Sequence, residues 1–242
     1  MTQAIPLLNA DSLAFPPVHT ALNDPNGLLA FGGDLSTQRL TQAYTMGIFP
    51  WFSEGEPIMW WSPNPRAVIF CDQLKINKTL RKHLKKHAKE QGFIVTLNNA
   101  FDEVIEFCAD APFRKEGTWI IDEMIQAYKV MHRQGLAHSI EVWSENELVG
   151  GLYGVAINGY FSGESMFYQQ SNASKTALVF LVDLLKSQNI ELLDCQMLNP
   201  FLADMGCLEI SRENFIQTKQ RSLEKILPNH FWQPRQLYLA YE

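Results

Sequence analysis

The sequence of 242 residues predicts a mixed α+β fold, in which helices cover the faces of a β-sheet. The clearest evidence is a series of three predicted strands at residues 138–143, 147–157 and 160–167. The last two are joined by Asn158-Gly159, the strongest short sequence signal for a β-hairpin. A long apolar helix, a strand and a further helix follow, so the order β-β-β-α-β-α indicates a meander extended by a helix-covered strand.

The segment up to about Pro65 is rich in Pro, Gly and Trp, and this composition places a boundary near that residue. It contains one short predicted helix from Ser36, which can cap it, to Met46, and Gly47 stands where helices commonly end. The other predicted elements are strands at 66–71, 93–97 and 191–196, and helices at 77–89, at 100–108 behind Asn98 or Asn99 as a cap, at 122–134, at about 172–187 with Asn172 or Ser174 as a cap, and at 213–225.

The net charge of −6 is unevenly distributed along the chain. Seven of the 20 basic residues lie between Lys75 and Lys89, and no acidic residue interrupts them. On a helical wheel most of these lysines fall opposite Leu80 and Leu84, so one face can pack on the protein while the other presents positive charge. The candidates for phosphate binding are Lys78, Arg81, Lys82, Lys85 and Lys86.

A row of lysines on a helix has two other common meanings. It can be an ordinary solvated face, or the polar face of a helix that lies on a membrane surface. The complete lack of acidic residues in this stretch favours phosphate binding, which is typical of proteins with a nucleic-acid partner.

Two acidic residues stand out as candidates for chemistry. Asp194 and Gln196 would point to the same face of a predicted strand near its carboxyl end, a common place for a ligand site, although an Asp that only caps the next loop gives the same pattern. Glu164 lies in an otherwise apolar strand and needs a partner or an aqueous cleft, unless it is simply exposed. Four tryptophans can wall an apolar pocket, stack on a base or fill the core, namely those at 51, 60, 61 and 119.

Several classes of protein are disfavoured by what the sequence lacks. The four cysteines form no C-x-x-C pair and the six histidines show no metal-ligand spacing, so neither a disulfide scaffold nor a zinc site is predicted. Gly32-Gly33 has neither of the spacings typical of nucleotide-binding loops. No apolar stretch approaches the length of about 20 residues that spans a bilayer, and we expect a soluble, cytoplasmic protein.

Distinctive motifs occur along nearly the whole chain. They are D-P-N-G-L-L-A-F-G-G-D-L at 24–35, G-I-F-P-W-F at 47–52, W-W-S-P-N-P-R-A-V at 60–68, E-G-T-W-I at 116–120, H-S-I-E-V-W at 138–143, G-E-S-M-F at 163–167, N-A-S-K-T-A-L at 172–178 and D-C-Q at 194–196. In this combination the sequence resembles the leucyl/phenylalanyl-tRNA–protein transferases.

The resemblance implies a small N-terminal α+β domain, residues 1–65, followed by an aminoacyl-transfer domain, residues 66–242, related in fold to the GCN5-type N-acetyltransferases. It also implies transfer of Leu or Phe, and less readily Met, from aminoacyl-tRNA to an acceptor protein that begins with Arg or Lys. Such transfer marks the acceptor for N-end rule degradation. No cofactor is implied, and we expect a monomer that does not bind membranes.

Carried over by position, the resemblance also implies a set of site residues. Leu152 stands where some members have Met, and its similar volume predicts an adjusted rather than an abolished pocket. The basic helix is mainly Lys where relatives mix Arg and Lys, which favours point-charge contacts with phosphate over bidentate ones. The implied residues are Trp51, Trp119, Leu152, Phe161, Glu164 and Asn199 for the aminoacyl group, and Asp194 and Gln196 for catalysis.

The implied reaction is the aminolysis of an ester, which needs no nucleotide hydrolysis. The attacking α-amino group has a pKa of about 8 and must lose a proton before it attacks. We expect Asp194 to act as the base or as an electrostatic partner, and Gln196 to orient the amine by hydrogen bonds. The ribose 2′-hydroxyl beside the ester is an alternative proton carrier, and the sequence leaves both routes open.

Two other functions are alternatives to aminoacyl transfer. An acetyl-CoA-dependent acyltransferase of the same fold would need a glycine-rich pyrophosphate loop, and the stretch from Tyr168 to Lys175 contains no glycine. A non-catalytic RNA-binding module would use the basic helix alone and would not discriminate between amino acids.

Overall fold

The computed structural model describes residues 4–9, 11–89, 92–110 and 118–239, with only the backbone described at 87–89. The strands are β1 Leu7–Leu8, β2 Leu28–Gly32, β3 Phe49–Pro50, β4 Met59–Trp61, β5 Arg66–Phe70, β6 Ile94–Leu97, β7 Ala137–Ser144, β8 Glu147–Ile157, β9 Tyr160–Tyr168, β10 Leu192–Gln196, β11 Leu208–Ile210 and β12 Arg235–Leu237. The helices are α1 Thr37–Met46, α2 Lys78–Lys89, α3 Phe101–Ala109, α4 Asp122–Arg133, α5 Ala173–Lys186, α6 Pro200–Asp204 and α7 Arg212–Leu223.

The strands form two sheets, which confirms the mixed α+β fold. A four-stranded sheet has the order β1-β2-β4-β3, and an eight-stranded sheet has the order β11-β5-β10-β9-β8-β7-β6-β12. The chain passes from the first sheet to the second between Trp61 and Arg66, next to the predicted boundary at Pro65. The division into two domains at that residue stays a prediction.

The predicted meander is confirmed. Strands β7, β8 and β9 pair antiparallel in sequence, and the β8–β9 hairpin turns at Asn158, whose φ of 52° is the left-handed conformation that this turn requires. Helix α5 then leads to β10, which pairs parallel with β9. This order agrees with the acetyltransferase-like domain expected from the sequence.

Two apolar clusters lie on opposite faces of the large sheet. One joins α1, α3, α4 and the small sheet to one face, and its largest buried side chains include Trp60, Tyr44 and Tyr128. The other packs α2, α5 and α6 on the opposite face, where Leu80 and Leu84 of α2 are buried. The apolar side of the basic helix is therefore the side that attaches it to the protein.

The N-terminal helix begins and ends as predicted. The Ser36 hydroxyl accepts a hydrogen bond from the Arg39 backbone N–H at 3.3 Å, and Gly47 ends the helix with a φ of 79°. A Cβ atom at Gly47 would also lie 2.8 Å from the Phe215 ring. The glycine therefore allows both the left-handed turn and the close packing of α7.

The predicted cap of α3 is wrong. Asn98 has a φ of 57° and its side chain accepts from the Ser139 N–H and donates to the Trp232 carbonyl, so it holds strands together rather than capping the helix. The Asn99 side chain makes no capping bond either, and its backbone N–H donates to the buried carboxylate of Glu141 at 3.3 Å. The carboxylate from β7 thus anchors the turn that precedes the helix and does not cap its first turn.

Candidate active site

The parallel strands β9 and β10 diverge soon after they begin. They pair only through Phe161 with Leu193 and through Ser162 with Asp194, and β10 then carries an irregularity between Asp194 and Gln196. Beyond these pairs a cavity of about 780 Å³ opens next to the carboxyl ends of the two strands. This is the kind of position that the sequence predicted for a ligand site.

The cavity has mainly apolar walls, as expected of a site for an apolar group. It brings together six of the eight residues implied for aminoacyl binding and catalysis. These six are Trp51, Trp119, Leu152, Glu164, Gln196 and Asn199. Among the described residues, its other walls come from the β3 end, from β9, from α5 and from α6, with Phe49, Met166, Leu178, Leu181 and Phe201 as examples.

Trp51 lines the cavity and packs against Trp61 of β4 in the small sheet. The rings of Trp51 and Trp61 meet edge to face with 5.5 Å between their centres, and the Trp61 indole N–H donates to the Trp51 carbonyl at 2.7 Å. Trp51 is 38% exposed, and its neighbour holds it in place although it follows a short strand. Glu116 and Gly117, from the motif that contains Trp119, lie outside the described residues.

Phe161 is not placed in the cavity. It is buried beneath the sheet, with its ring centre 5.6 Å from that of Trp232 and its edge close to Gly154. Since it does not line the cavity, its implied contact with the aminoacyl group does not agree with its position. Phe161 and Leu193 pair across β9 and β10 and both belong to the second apolar cluster, but of these two residues Leu193 lines the cavity and Phe161 does not.

Asp194 lies behind the cavity wall, in a buried ion pair. Its carboxylate accepts from Nε of Arg66 at 2.8 Å and from Nη2 at 2.7 Å, and both side chains are fully buried. The Tyr160 hydroxyl donates to the same carboxylate at 2.5 Å, and the Gln196 backbone N–H donates at 3.0 Å. This set of donors satisfies the carboxylate from several sides.

The surroundings keep Asp194 ionised. Burial alone would raise its pKa, but the Arg66 guanidinium and the hydrogen bonds from Tyr160 and the Gln196 backbone lower the pKa below its usual range. A carboxylate that is so stabilised is a weak base, and it does not line the cavity. The expectation that Asp194 itself takes the proton from the amine therefore does not agree with its position.

Arg66 belongs to the candidate site through its pair with Asp194, although its sequence context predicted no role there. Its guanidinium lies between two aromatic rings, 4.9 Å from the centre of Phe49 and 4.6 Å from the centre of Phe215, and it donates to the Gly47 carbonyl at 3.2 Å. A charged residue at the start of an apolar strand was the available signal, since a buried charge needs a partner.

Glu164 has the opposite environment. It lines the cavity, and its carboxylate accepts from the Tyr128 hydroxyl at 3.0 Å and from the Gln196 side-chain amide at 2.7 Å. The Tyr44 hydroxyl lies 2.5 Å from that of Tyr128. Burial raises the pKa of Glu164 to about 7, although these hydrogen bonds favour the ionised form. It is the cavity carboxylate whose pKa suits proton transfer near neutral pH.

Gln196 connects the two carboxylates. Its backbone N–H binds Asp194, and its side-chain Nε2 donates to Glu164 and, at 3.4 Å, to the Ser162 hydroxyl. The residue has a φ of 62°, an uncommon conformation for Gln that the hydrogen bond to Asp194 helps to hold. With Nε2 engaged, the amide oxygen remains as an acceptor for a donor in the cavity.

The structure agrees with the charge pattern predicted for α2. All five candidate residues on this helix are exposed, while Leu80 and Leu84 are buried. The Lys89 side chain lies outside the described residues. The segment before the helix is held by the Lys75 N–H, which donates to the Met205 carbonyl at 2.9 Å just after α6, a helix that lines the cavity. The exposed candidates are Lys78, Arg81, Lys82, Lys85 and Lys86.

Comparison with known proteins decides the family. Residues 68–220 match the model of the leucyl/phenylalanyl-tRNA protein transferase family, and residues 33–64 match the model of its N-terminal domain. A leucyl/phenylalanyl-tRNA–protein transferase from Colwellia psychrerythraea is 58% identical over 98% of this chain and 99% of its own length. The chain belongs to this family. Its resemblance to the family is thereby confirmed, and the protein is a transferase.

Other members of the family support the same assignment. The transferase of that name from Pseudoalteromonas translucida is 50% identical over 99% of both chains. The one from Escherichia coli O157:H7 is 49% identical over 97% of this chain and 98% of its own. None of the helices in the described ranges has the length and apolar character needed to cross a membrane.

Proposed function

We propose that the protein transfers leucine or phenylalanine, and less readily methionine, from aminoacyl-tRNA to a protein that begins with Arg or Lys. The donor class, an aminoacyl-tRNA, and the acceptor class, a protein, follow from membership of the family. The observation that carries the proposal is the apolar cavity between β9 and β10, which has the Glu164–Gln196 pair at its wall.

The cavity supports the choice of a large apolar side chain. Trp51, Trp119 and Leu152 provide apolar walls, and a site of this kind gains free energy by burying an aliphatic or aromatic group. Discrimination by apolar contacts alone is modest, about 10- to 200-fold per methylene group. Acceptance of Leu, Phe and Met by one pocket is consistent with such walls.

We propose that Glu164, rather than Asp194, accepts the proton that the attacking amine loses. The α-amino group has a pKa of about 8, so a carboxylate with a pKa of about 7 in the cavity is matched to accept its proton. The Gln196 amide oxygen accepts a hydrogen bond from the amine and directs it toward the ester carbon. The ribose 2′-hydroxyl is an alternative carrier, and the pH dependence of transfer by a Glu164→Gln variant distinguishes the two.

Asp194 takes a positioning role in this proposal. Its hydrogen bond to the Gln196 backbone and its ion pair with Arg66 support the conformation in which Gln196 reaches Glu164. The exposed basic face of α2 binds the phosphates of the tRNA, and its lysines act as point charges.

The remaining parts of the proposal rest on the family resemblance. We propose that the protein is a monomer, that it acts in the cytoplasm without binding membranes, and that its products are degraded by the N-end rule. No cofactor is required, because formation of an amide from an ester is favourable without nucleotide hydrolysis.

One transfer assay tests the function. The protein is incubated with labelled Leu-tRNA and a peptide that begins with Arg, and label in the peptide is measured. A peptide that begins with Glu is the control for the acceptor, and Asp-tRNA is the control for the donor. Transfer only from Leu-tRNA to the Arg peptide is expected. Binding of both tRNAs without transfer would instead indicate an RNA-binding module.

A further inference from the structure

Helix α5 begins at the cavity without a side-chain cap. Its N-cap residue, Asn172, has a φ of 69°, and its side chain makes no capping bond, although its backbone carbonyl accepts from Thr176. The Ala173 N–H donates to the Gln170 carbonyl. Within the described ranges no acceptor is bonded to the N–H groups of Ser174 and Lys175, the two that an N-cap side chain normally satisfies. Two donors thus remain at the positive end of a 14-residue helix.

The side chains at this helix end add further donors. Ser174 lines the cavity, is only 4% exposed, and its hydroxyl has no hydrogen-bond partner in the part of the chain that the structure describes. The Lys175 ammonium lies 5.8 Å from the ring centre of Phe201, which also lines the cavity. A hydroxyl that faces a cavity without a hydrogen bond to the described residues can donate to or accept from a ligand bound there.

The position of this helix end is fixed by the sheet. A Cβ atom at Gly150 of β8 would lie only 2.4 Å from the Ala173 Cβ, so the missing side chain lets the first turn of α5 lie directly on the strand. The donors of Ser174 and Lys175 are therefore held at a constant place relative to Leu152, which follows on the same strand and lines the same cavity.

We propose that the N-terminus of α5, with Ser174 and Lys175, binds a phosphate group of the donor substrate. This inference rests on the proposed function, which places the reacting ester in the same cavity at Glu164 and Gln196. The ligand is the phosphodiester that joins the aminoacylated nucleoside to the nucleotide before it. A helix N-terminus with two unbonded N–H groups, a lysine and a hydroxyl matches the charge and the acceptor oxygens of a phosphate.

Two stable analogues test the proposal. Both carry leucine joined by an amide to 3′-amino-3′-deoxyadenosine, and only one has a 5′-phosphate. Each is measured as an inhibitor of transfer from Leu-tRNA to the Arg peptide. For the unchanged protein the phosphate should strengthen inhibition about tenfold or more, as expected for hydrogen bonds to a charged group. Ser174→Ala and Lys175→Gln should each reduce this gain, and the double variant should remove it.

The controls separate the possible failures. Lys186→Gln, at the exposed far end of α5, should keep the full gain, and the analogue without phosphate should inhibit all variants equally. A gain that is absent in the unchanged protein, or that survives in the double variant, would overturn the proposal. Inhibition by inorganic phosphate at the concentration of the phosphorylated analogue would also overturn it, in favour of a free anion. If the unchanged protein transfers nothing, the proposed function fails, and calorimetric binding of the two analogues still tests the subsite.

Discussion

The two carboxylates that meet Gln196 have opposite environments. Asp194 is fully buried and paired with Arg66, so its pKa is lowered, whereas Glu164 lines the cavity and burial raises its pKa to about 7. Each accepts a tyrosine hydroxyl, from Tyr160 in the first case and from Tyr128 in the second. The difference between the two pKa values therefore arises from the Arg66 guanidinium and not from the tyrosine hydroxyls, which both carboxylates have.

The two carboxylates therefore suit different roles, Asp194 a structural one and Glu164 a chemical one. A permanently ionised, buried group can hold a backbone in place, but it cannot exchange protons near neutral pH. A carboxylate with a pKa of about 7 can do so, and the cavity gives it access to a substrate. Acid–base roles in paired carboxylates generally follow such a divergence of pKa values.

The largest effect is expected from breaking the buried ion pair. Arg66→Leu leaves the Asp194 carboxylate without its cation and should lower the free energy of unfolding by about 3–5 kcal/mol, as measured by urea denaturation. The matched control is Arg221→Leu, which breaks an exposed pair with Glu191 and should cost at most about 1 kcal/mol. Equal losses of unfolding free energy in the two variants would show that the buried pair contributes no more to stability than the exposed one.

Removing the tyrosine hydroxyl that donates to each carboxylate should have a smaller effect. The loss should lower stability at Asp194 but shift the pH dependence of activity at Glu164. Tyr160→Phe removes a hydrogen bond to the ionised Asp194 and should cost about 1.5–3 kcal/mol of stability. Tyr128→Phe removes a donor that favours ionised Glu164, so the pKa of Glu164 rises and the pH at which activity appears shifts upward. Urea denaturation and a pH–rate profile are measured for both variants, and the same pH shift in both would contradict the separation of roles.

Charge reversal on α2 should affect neither carboxylate. Lys82→Glu combined with Lys85→Glu should weaken tRNA binding and reduce the slope of log affinity against log salt by about two, while the rate at saturating tRNA stays unchanged. Arg133→Glu, on α4 at the opposite face of the large sheet, is the control for the single variant Lys82→Glu, because the two changes alter the net charge equally. A slope that does not change would place the tRNA on another surface.

Local sequence signals predicted much of the fold. The Asn158-Gly159 hairpin and the helix from Ser36 to Gly47 depend on a few adjacent residues, and the structure confirms both. The amphipathic pattern likewise predicted which face of α2 is buried. The roles of Asn98 and Asn99 could not be found in this way, because their partners Trp232 and Glu141 lie 134 and 42 residues away in sequence.

The sequence suggested residues for the site but not their arrangement. Spacing and resemblance indicated Asp194, Gln196 and Glu164, yet the environment of Asp194 depends on Arg66, which is 128 residues away in sequence. A strand pattern also gives no sign that β9 and β10 diverge, and this divergence creates the cavity and leaves Phe161 outside it. Such properties arise from packing between distant segments.

The single-turnover rate of transfer as a function of pH tests the role of Glu164 most directly. With saturating Leu-tRNA and Arg peptide, the rate should rise through an inflection near 7, the pKa of Glu164, before the inflection of the amine at about 8. Glu164→Gln should lower the rate about 10²- to 10⁴-fold and remove only the lower inflection. An inflection near 7 that persists in Glu164→Gln and disappears in Asp194→Asn would contradict the assignment.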